Sequence, residues 1–174
     1  MVAVDRAIES YEDAFQAVIA ACEAHSIDWR DMPFATVCRM VDLIEACTQA
    51  YTRYTILAAM KGVDLHVVGR VPDSLMAATT TDTTFHGALP MSDVLPLMER
   101  SKFTLNITPK FADGVHDRTW YALSRYCNVL TTKSRYLEKF FTDRESMIFI
   151  PTGMEQCGDL IADLLNAPDA LDEM

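Results

Sequence analysis

Positive charge is scarce in this chain. Lysine and arginine total 15 against 25 aspartates and glutamates, which leaves a formal net charge of −10 and a pI near 4.7. A field of that sign repels phosphate backbones and anionic membrane surfaces, so it argues against general nucleic-acid binding. A local basic pocket for a small phosphate ligand stays compatible with it. Glycine and proline are also few, 6 and 7 of 174 residues, while half the chain is hydrophobic. That balance excludes a fibrous or mainly disordered chain. The five cysteines (Cys22, Cys38, Cys47, Cys127 and Cys157) are odd in number and form no CxxC pair. Zinc ribbons, redox motifs and secreted disulfide frameworks are therefore disfavoured, and reduced cysteines in a cytosolic core are expected. No apolar run approaches the roughly 18 residues that a membrane span needs. The N-terminus mixes Asp5, Arg6, Glu9, Glu12 and Asp13 with apolar residues, unlike a signal peptide. The expectation is a soluble, cytoplasmic protein without a membrane span.

A chain of this length can fold as one domain that buries roughly 70% of its unfolded surface, with no disulfide or metal staple. Its first third carries helical periodicity. Val4, Ile8, Tyr11, Phe15, Val18, Ile19 and Cys22 step by three and four, with polar residues between them. Ser26 to Pro33 breaks that pattern, with Asp31 as an expected cap and Pro33 as a first-turn residue of the next helix. Apolar spacing then runs from Phe34 to Met60 and stops at Gly62, with a break expected near Thr48.

Beyond Gly62 the texture alternates. Short β-rich runs occur at Val63 to Gly69, Thr84 to Gly87, Phe103 to Ile107, Asn128 to Thr131 and Met147 to Ile150. Helical segments separate the later ones: one opened by Ser92 and Asp93, one over His116 to Tyr126, one capped by Ser134, and a last one over Cys157 to Leu165. Strands that alternate with helices imply right-handed crossovers and a mostly parallel sheet. The predicted organisation is a helical extension over residues 1–62 and a Rossmann-like α/β domain over 63–174.

In such a sheet, ligands bind outside the carboxyl ends of the strands. Two segments qualify. Gly69-Arg70 follows the first strand, as either a ligand-approaching turn with a cationic fork or an ordinary turn with a surface arginine. The second runs from Asn106 through Lys110 and Gly114 to His116 and Arg118, and it gathers three basic side chains in an acidic chain. With the donors of a helix start, it suits a diphosphate. His116 and Arg118 can share one ligand only if His116 caps the helix. The alternative has Asp113 and Asp117 capping the helix while Arg118 pairs with an acid such as Asp113 or Glu138. His25, His66 and His86 form no metal-ligand spacing and read as structural. GxGxxG, GxSxG, P-loop and Asp-x-Asp patterns are all absent, so neither a dinucleotide nor an obligatory metal is expected.

The run NITPKFADGVHDRTWYALSRYCNVLTTKSRYLEKFFTDRESMIFIP resembles the C-terminal half of group 1 glycosyltransferases, in their spore-maturation-like branch. The likeness covers about Tyr51 to Pro168. It includes the strand ending in Gly69-Arg70 and the LPLMERSKF segment. It implies half of a GT-B type fold, in which two Rossmann-like domains face a cleft and the C-terminal one holds a nucleoside-diphosphate sugar as substrate. By the resemblance, His116 and Arg118 lie against the donor diphosphate. Tyr121 stands where the wider group often has a ribose-binding acid, and Tyr126 stands where a small residue or glycine is usual.

Only two helices precede the donor half, so an acceptor-binding domain is expected from a partner chain or a longer protein. The leading expectation is a donor-binding domain of a glycosyltransferase, transferring a hexosyl or related group. Gly69, Arg70, Asn106, Lys110, Gly114, His116, Arg118 and Tyr121 are its candidate donor-binding residues. No catalytic residue is assigned. The alternative is a non-catalytic interaction domain derived from such an enzyme.

Overall fold

A computed structural model describes residues 13–60, 62–77, 82–107, 113–145, 147–151 and 154–166. The described residues begin with a helical hairpin: α1 (Ala14–Ala24), a 3-10 turn (Trp29–Asp31) and α2 (Phe34–Ala59). Asp13 caps α1 by accepting from the Phe15 amide at 2.8 Å. Asp31 does not cap α2 as expected. It lies within the 3-10 turn, which Asp28 caps, and Pro33 takes the N-cap position of α2 with φ −55° and ψ 132°. Proline's fixed φ suits that extended corner without any side-chain acceptor. The break expected near Thr48 is also absent. Between Phe34 and Ala59 there is no glycine or proline to interrupt the hydrogen-bond ladder. Gly62, at φ +77°, then turns the chain out of the helix.

Strands and helices alternate from there: β1 (Leu65–Val68), α3 (Asp73–Met76), β2 (Thr83–Gly87), α4 (Met91–Arg100) and β3 (Phe103–Asn106). They continue as α5 (Asp117–Leu123), β4 (Asn128–Thr132), α6 (Arg135–Phe140), β5 (Ile148–Ile150) and α7 (Met154–Asn166). Two parallel ladders result, β1–β2 and β3–β4–β5. Their registers run from Leu65 opposite Thr83, from Phe103 opposite Asn128, and from Leu130 opposite Ile148. The molecule is thus a mixed α/β, Rossmann-like fold with a helical N-terminal segment.

Strand alternation sends neighbouring side chains of β4 to opposite faces. Leu130 joins a cluster with Ile56 and Met60 of α2, Ile148 and Ile150 of β5, and Ile161 of α7. Val129 joins a second cluster with Met98, Ala122, Leu137 and Phe149. Helices therefore cover β4 on both sides, α2 and α7 on one and α4, α5 and α6 on the other. A third cluster, Ala17, Val18, Cys22 and Ile44, lies between α1 and α2. The apolar stripe of the first helix packs on α2, and the last turns of α2 are what reach the sheet. The part of that stripe before residue 13 lies outside the described residues.

The cysteines divide. Cys22 and Cys127 are buried as expected, but Cys38 and Cys47 are exposed on α2. Among the described residues, no helix is long and apolar enough to cross a membrane.

Packing of this kind separates positions on the same helix. Met60, 1% exposed within the first cluster, is expected to cost about 2–5 kcal/mol when replaced by alanine. Leu43→Ala, at a residue 65% exposed on α2, should stay within about 0.5 kcal/mol. Urea denaturation of the two variants checks the contrast.

Candidate functional site

The junction of β3, α5 and β4 is braced by a single buried amide. Asn106, the last residue of β3, has no exposed surface. Its Nδ2 donates to Thr119 Oγ1 at 2.9 Å and to Thr131 Oγ1 at 3.3 Å. It thereby ties the carboxyl end of β3 to the first turn of α5 and to β4. Its Oδ1 has no hydrogen-bond partner among the described residues. Asn106 thus sits beneath the surface, where it positions neighbouring groups.

His116 occupies the N-cap of α5, with φ −78° and ψ 142°. That is the placement under which His116 and Arg118 can face one ligand. Its Nδ1 accepts from the Arg118 amide at 3.3 Å, and the Asp117 carboxylate lies at ion-pair distance from the same atom. One nitrogen cannot present a lone pair to the amide and a proton to the carboxylate together, so these are alternative states of the cap. The cap also occupies one of the helix-start donors expected to face a phosphate, and α5 is only seven residues long.

The alternative that pairs Arg118 with an acid such as Asp113 or Glu138 is not met by those two residues, which are engaged elsewhere. Asp113 is held by Arg135 in a two-pronged contact, Nε to Oδ1 and Nη2 to Oδ2, each at 2.5 Å. Hydrogen bonding from Arg135 holds the Asp113 carboxyl below its usual range. Glu138 pairs with Lys133 at 3.3 Å. What surrounds Arg118 is different. Partial burial, and then the positive charge of Arg53, lower its pKa, with Asp117 acting in the opposite direction. An arginine keeps its proton at neutral pH, and the Arg118 side chain is exposed on α5.

The other expected residues are spread out. Gly114 is half-buried just ahead of the cap, and Tyr121, one turn after Arg118, is 38% exposed. Lys110 lies outside the described residues. Gly69 and Arg70 follow β1, in the other ladder. Gly69 takes φ +125°, a conformation strained for any residue with a side chain, and its amide donates to Gly87 O at 2.6 Å. Arg70 is exposed beside it. No hydrogen bond or ion pair among the described residues ties either one to α5.

Two further features lie elsewhere. His66 and His86 meet across β1 and β2, stacked with ring centroids 5.0 Å apart and Nδ1 to Nε2 at 2.8 Å. Sequence spacing could not show this pairing. No cluster of three or more potential metal ligands occurs among the described residues. A cavity of about 590 Å³ opens beside β5 and α7, lined by Lys133, Arg144, Phe149 and the carboxylates of Asp143, Asp159 and Asp163. Those acids make it a poor phosphate site. The Cys127 thiol, pushed up by burial, is not poised as a nucleophile.

Two expectations follow from the brace and the ion pair. Asn106→Ala should lower stability by about 1–3 kcal/mol, because it strands the buried Thr119 hydroxyl and removes one of two partners of Thr131. Asn106→Asp should cost more, since it buries a carboxylate; both are read from urea midpoints. Arg135→Ala should return Asp113 upward to the ordinary carboxylate range in an NMR titration. A depressed carboxyl pKa stabilises the fold above its unfolded value of about 3.8. That contribution is lost as pH falls through the folded value, so the variant and the parent should converge in stability only in strong acid.

Comparison with known proteins adds one positive finding. A family model described as glycosyl transferase-like matches residues 53–174. Among curated proteins and among solved structures, nothing matches. The matched span takes in Arg53, both ladders and the Asn106 to Arg118 junction, and by that match the chain belongs to the glycosyl transferase-like family.

Proposed function

We propose that this domain binds the nucleoside-diphosphate sugar donor of a glycosyltransferase, with Arg118 as its principal diphosphate contact. One observation carries the reading. In a strongly acidic chain, two acids considered as partners of Arg118, Asp113 and Glu138, are committed to Arg135 and Lys133. A guanidinium left in that state offers two parallel N–H donors to phosphate oxygens. It would also stabilise the charge that builds on the departing nucleoside diphosphate.

His116 at the cap supports the same ligand position, and Gly114, Lys110 and Tyr121 belong to the surrounding loop and helix. Asn106 acts in this reading by fixing the first turn of α5 rather than by touching the donor. Gly69 and Arg70 are a second cationic turn for the sugar or a terminal phosphate. The quoted run of residues also supports the finer placement in the spore-maturation-like branch. Transfer to an acceptor would need a second wall of the cleft, from a partner chain or a further segment. A cytoplasmic location follows from the same reading, since that is where nucleotide sugars are used by such domains.

A second reading, a non-catalytic interaction domain, is favoured by the apolar side chains that α2 leaves open. Phe34 is 82% exposed, Leu43 65% and Tyr51 51%. The two readings differ in whether a nucleotide binds.

Calorimetric titration of the full chain with UDP and GDP tests the donor reading. Binding of either is expected, and Arg118→Ala should weaken it by roughly ten- to a hundredfold with an unchanged melting temperature. A variant that melts earlier but keeps its affinity within about twofold would assign Arg118 to the fold instead.

A further inference from the structure

Two faces of α2 are covered within the chain. Ile44 packs on α1, and Ile56 and Met60 pack on the sheet. A third face is open. Leu43, Ala46, Cys47, Ala50, Tyr51 and Tyr54 fall at i, i+3, i+4, i+7, i+8 and i+11, one helical stripe, and all six are exposed. The stripe is apolar over about three turns, with a centre of small residues and two tyrosines towards one end. It also lies in a stretch without acids: from Ala46 to Val63 there is no aspartate or glutamate, in a sequence that has 25. Depletion of charge and enrichment in aromatic side chains mark the core of a protein interface rather than ordinary surface.

The charges along its edge are self-complementary. Asp42 and Arg53 are both exposed and stand eleven residues apart, which puts them on the same edge of the stripe, about 16 Å from each other along the axis. That is too far for a pair within one helix. Among the described residues, neither forms an ion pair. When two copies of a helix pack antiparallel about a two-fold axis, equivalent edges face each other; in parallel packing, opposite edges do. Antiparallel packing centred midway between Cys47 and Ala50 sets Leu43 opposite Tyr54 of the partner subunit and Ala46 opposite the partner's Tyr51. The same axis brings Asp42 level with the partner's Arg53 to within about 3 Å along the helix, and symmetry repeats the pair. Parallel packing would set that charged edge against Tyr51 instead.

We propose that α2 docks a second copy of this chain, as an antiparallel helix pair with reciprocal Asp42–Arg53 ion pairs. The small residues at the centre let the two backbones approach, and each tyrosine fills the space over the other copy's stripe. Each copy carries a net charge of −10, which opposes encounter, and the acid-free stripe is where that repulsion is weakest. Each chain already buries its own clusters between α1, α2 and the sheet. The association is therefore one of folded chains, and dilution separates them without unfolding. It does not depend on whether a nucleotide binds.

The test is sedimentation equilibrium of the full chain over about 1–200 μM, with reductant present because Cys38 and Cys47 are exposed. The mass is expected to rise with concentration from 19.5 kDa towards twice that value. Leu43→Glu and, at the other end of the stripe, Tyr54→Glu should each hold the chain at the monomer mass. Asp42→Arg and Arg53→Asp should each weaken the dimer by roughly tenfold, since each sets like charges together twice. The double reversal should return to within about threefold of wild type, because it restores both pairs with their signs exchanged. Melting temperatures of all variants at the lowest concentration should match wild type.

A chain that stays monomeric over the whole range would overturn the proposal and leave the face to a different partner. A dimer indifferent to both glutamate substitutions would also overturn it, by placing the contact elsewhere. A dimer that Leu43→Glu breaks but the double reversal does not restore would overturn the antiparallel pairing. Rescue by the double reversal would uphold it, since no contact within one copy joins those two residues.

Discussion

Because β4 runs between β3 and β5 with helices above and below, its side chains have no route to solvent, and the elements around it are placed by what they must cover. Val129, Leu130 and Thr131 are wholly buried. The first two feed opposite cores, so helices are required on both faces. The long α2 is recruited to one face through Ile56 and Met60, although most of its length pairs with α1 or faces solvent. Thr131, near the end of the strand, brings a hydroxyl into that dry environment, where it donates to Thr132 O and accepts from Asn106. The brace between β3, α5 and β4 is thus a consequence of burying the central strand. It is also what holds the start of α5 in place.

Above that brace the problem changes from packing to charge. The chain has acids in excess, and several surface cations find them: Arg135 with Asp113, Lys133 with Glu138, Arg30 with Asp28. Such exposed pairs contribute little to stability. Their consequence here is selective, because each committed carboxylate is one fewer for the Arg118 region. Among the described residues, Arg118 forms no ion pair with either Asp113 or Glu138. A net charge of −10 repels polyanions from the surface at large.

Much of the fold was legible. The strands were expected where the apolar β-rich runs fall, and the observed ends differ by one or two residues. Ser134 was read as a cap and does accept from the Leu137 amide at 3.1 Å. The reading faltered where several residues could play one role. Asp31 and Asp28 are both plausible caps, and the three-residue turn between them favours Asp28. Thr48 could mark a kink, but a helix without glycine or proline has no reason to stop there. The candidate site was legible in part. The candidate loop and its basic residues were chosen from their order in the chain. Asn106 was taken for a ligand contact because its type and position at a strand end allow that, and nothing local reveals that it is covered.

Periodicity, caps and turn residues are local signals, carried by residues a few positions apart, and they were enough to give the order of elements and the parallel class of the sheet. Which charged groups meet is set by how helices cross and how far they extend past the sheet. Arg135 reaching Asp113 and His66 stacking on His86 both join residues that the chain keeps well apart. Coulomb energy depends on separation in space and on the water excluded between charges. Neither quantity exists until the core has closed around β4 and fixed the ends of the elements that carry those side chains.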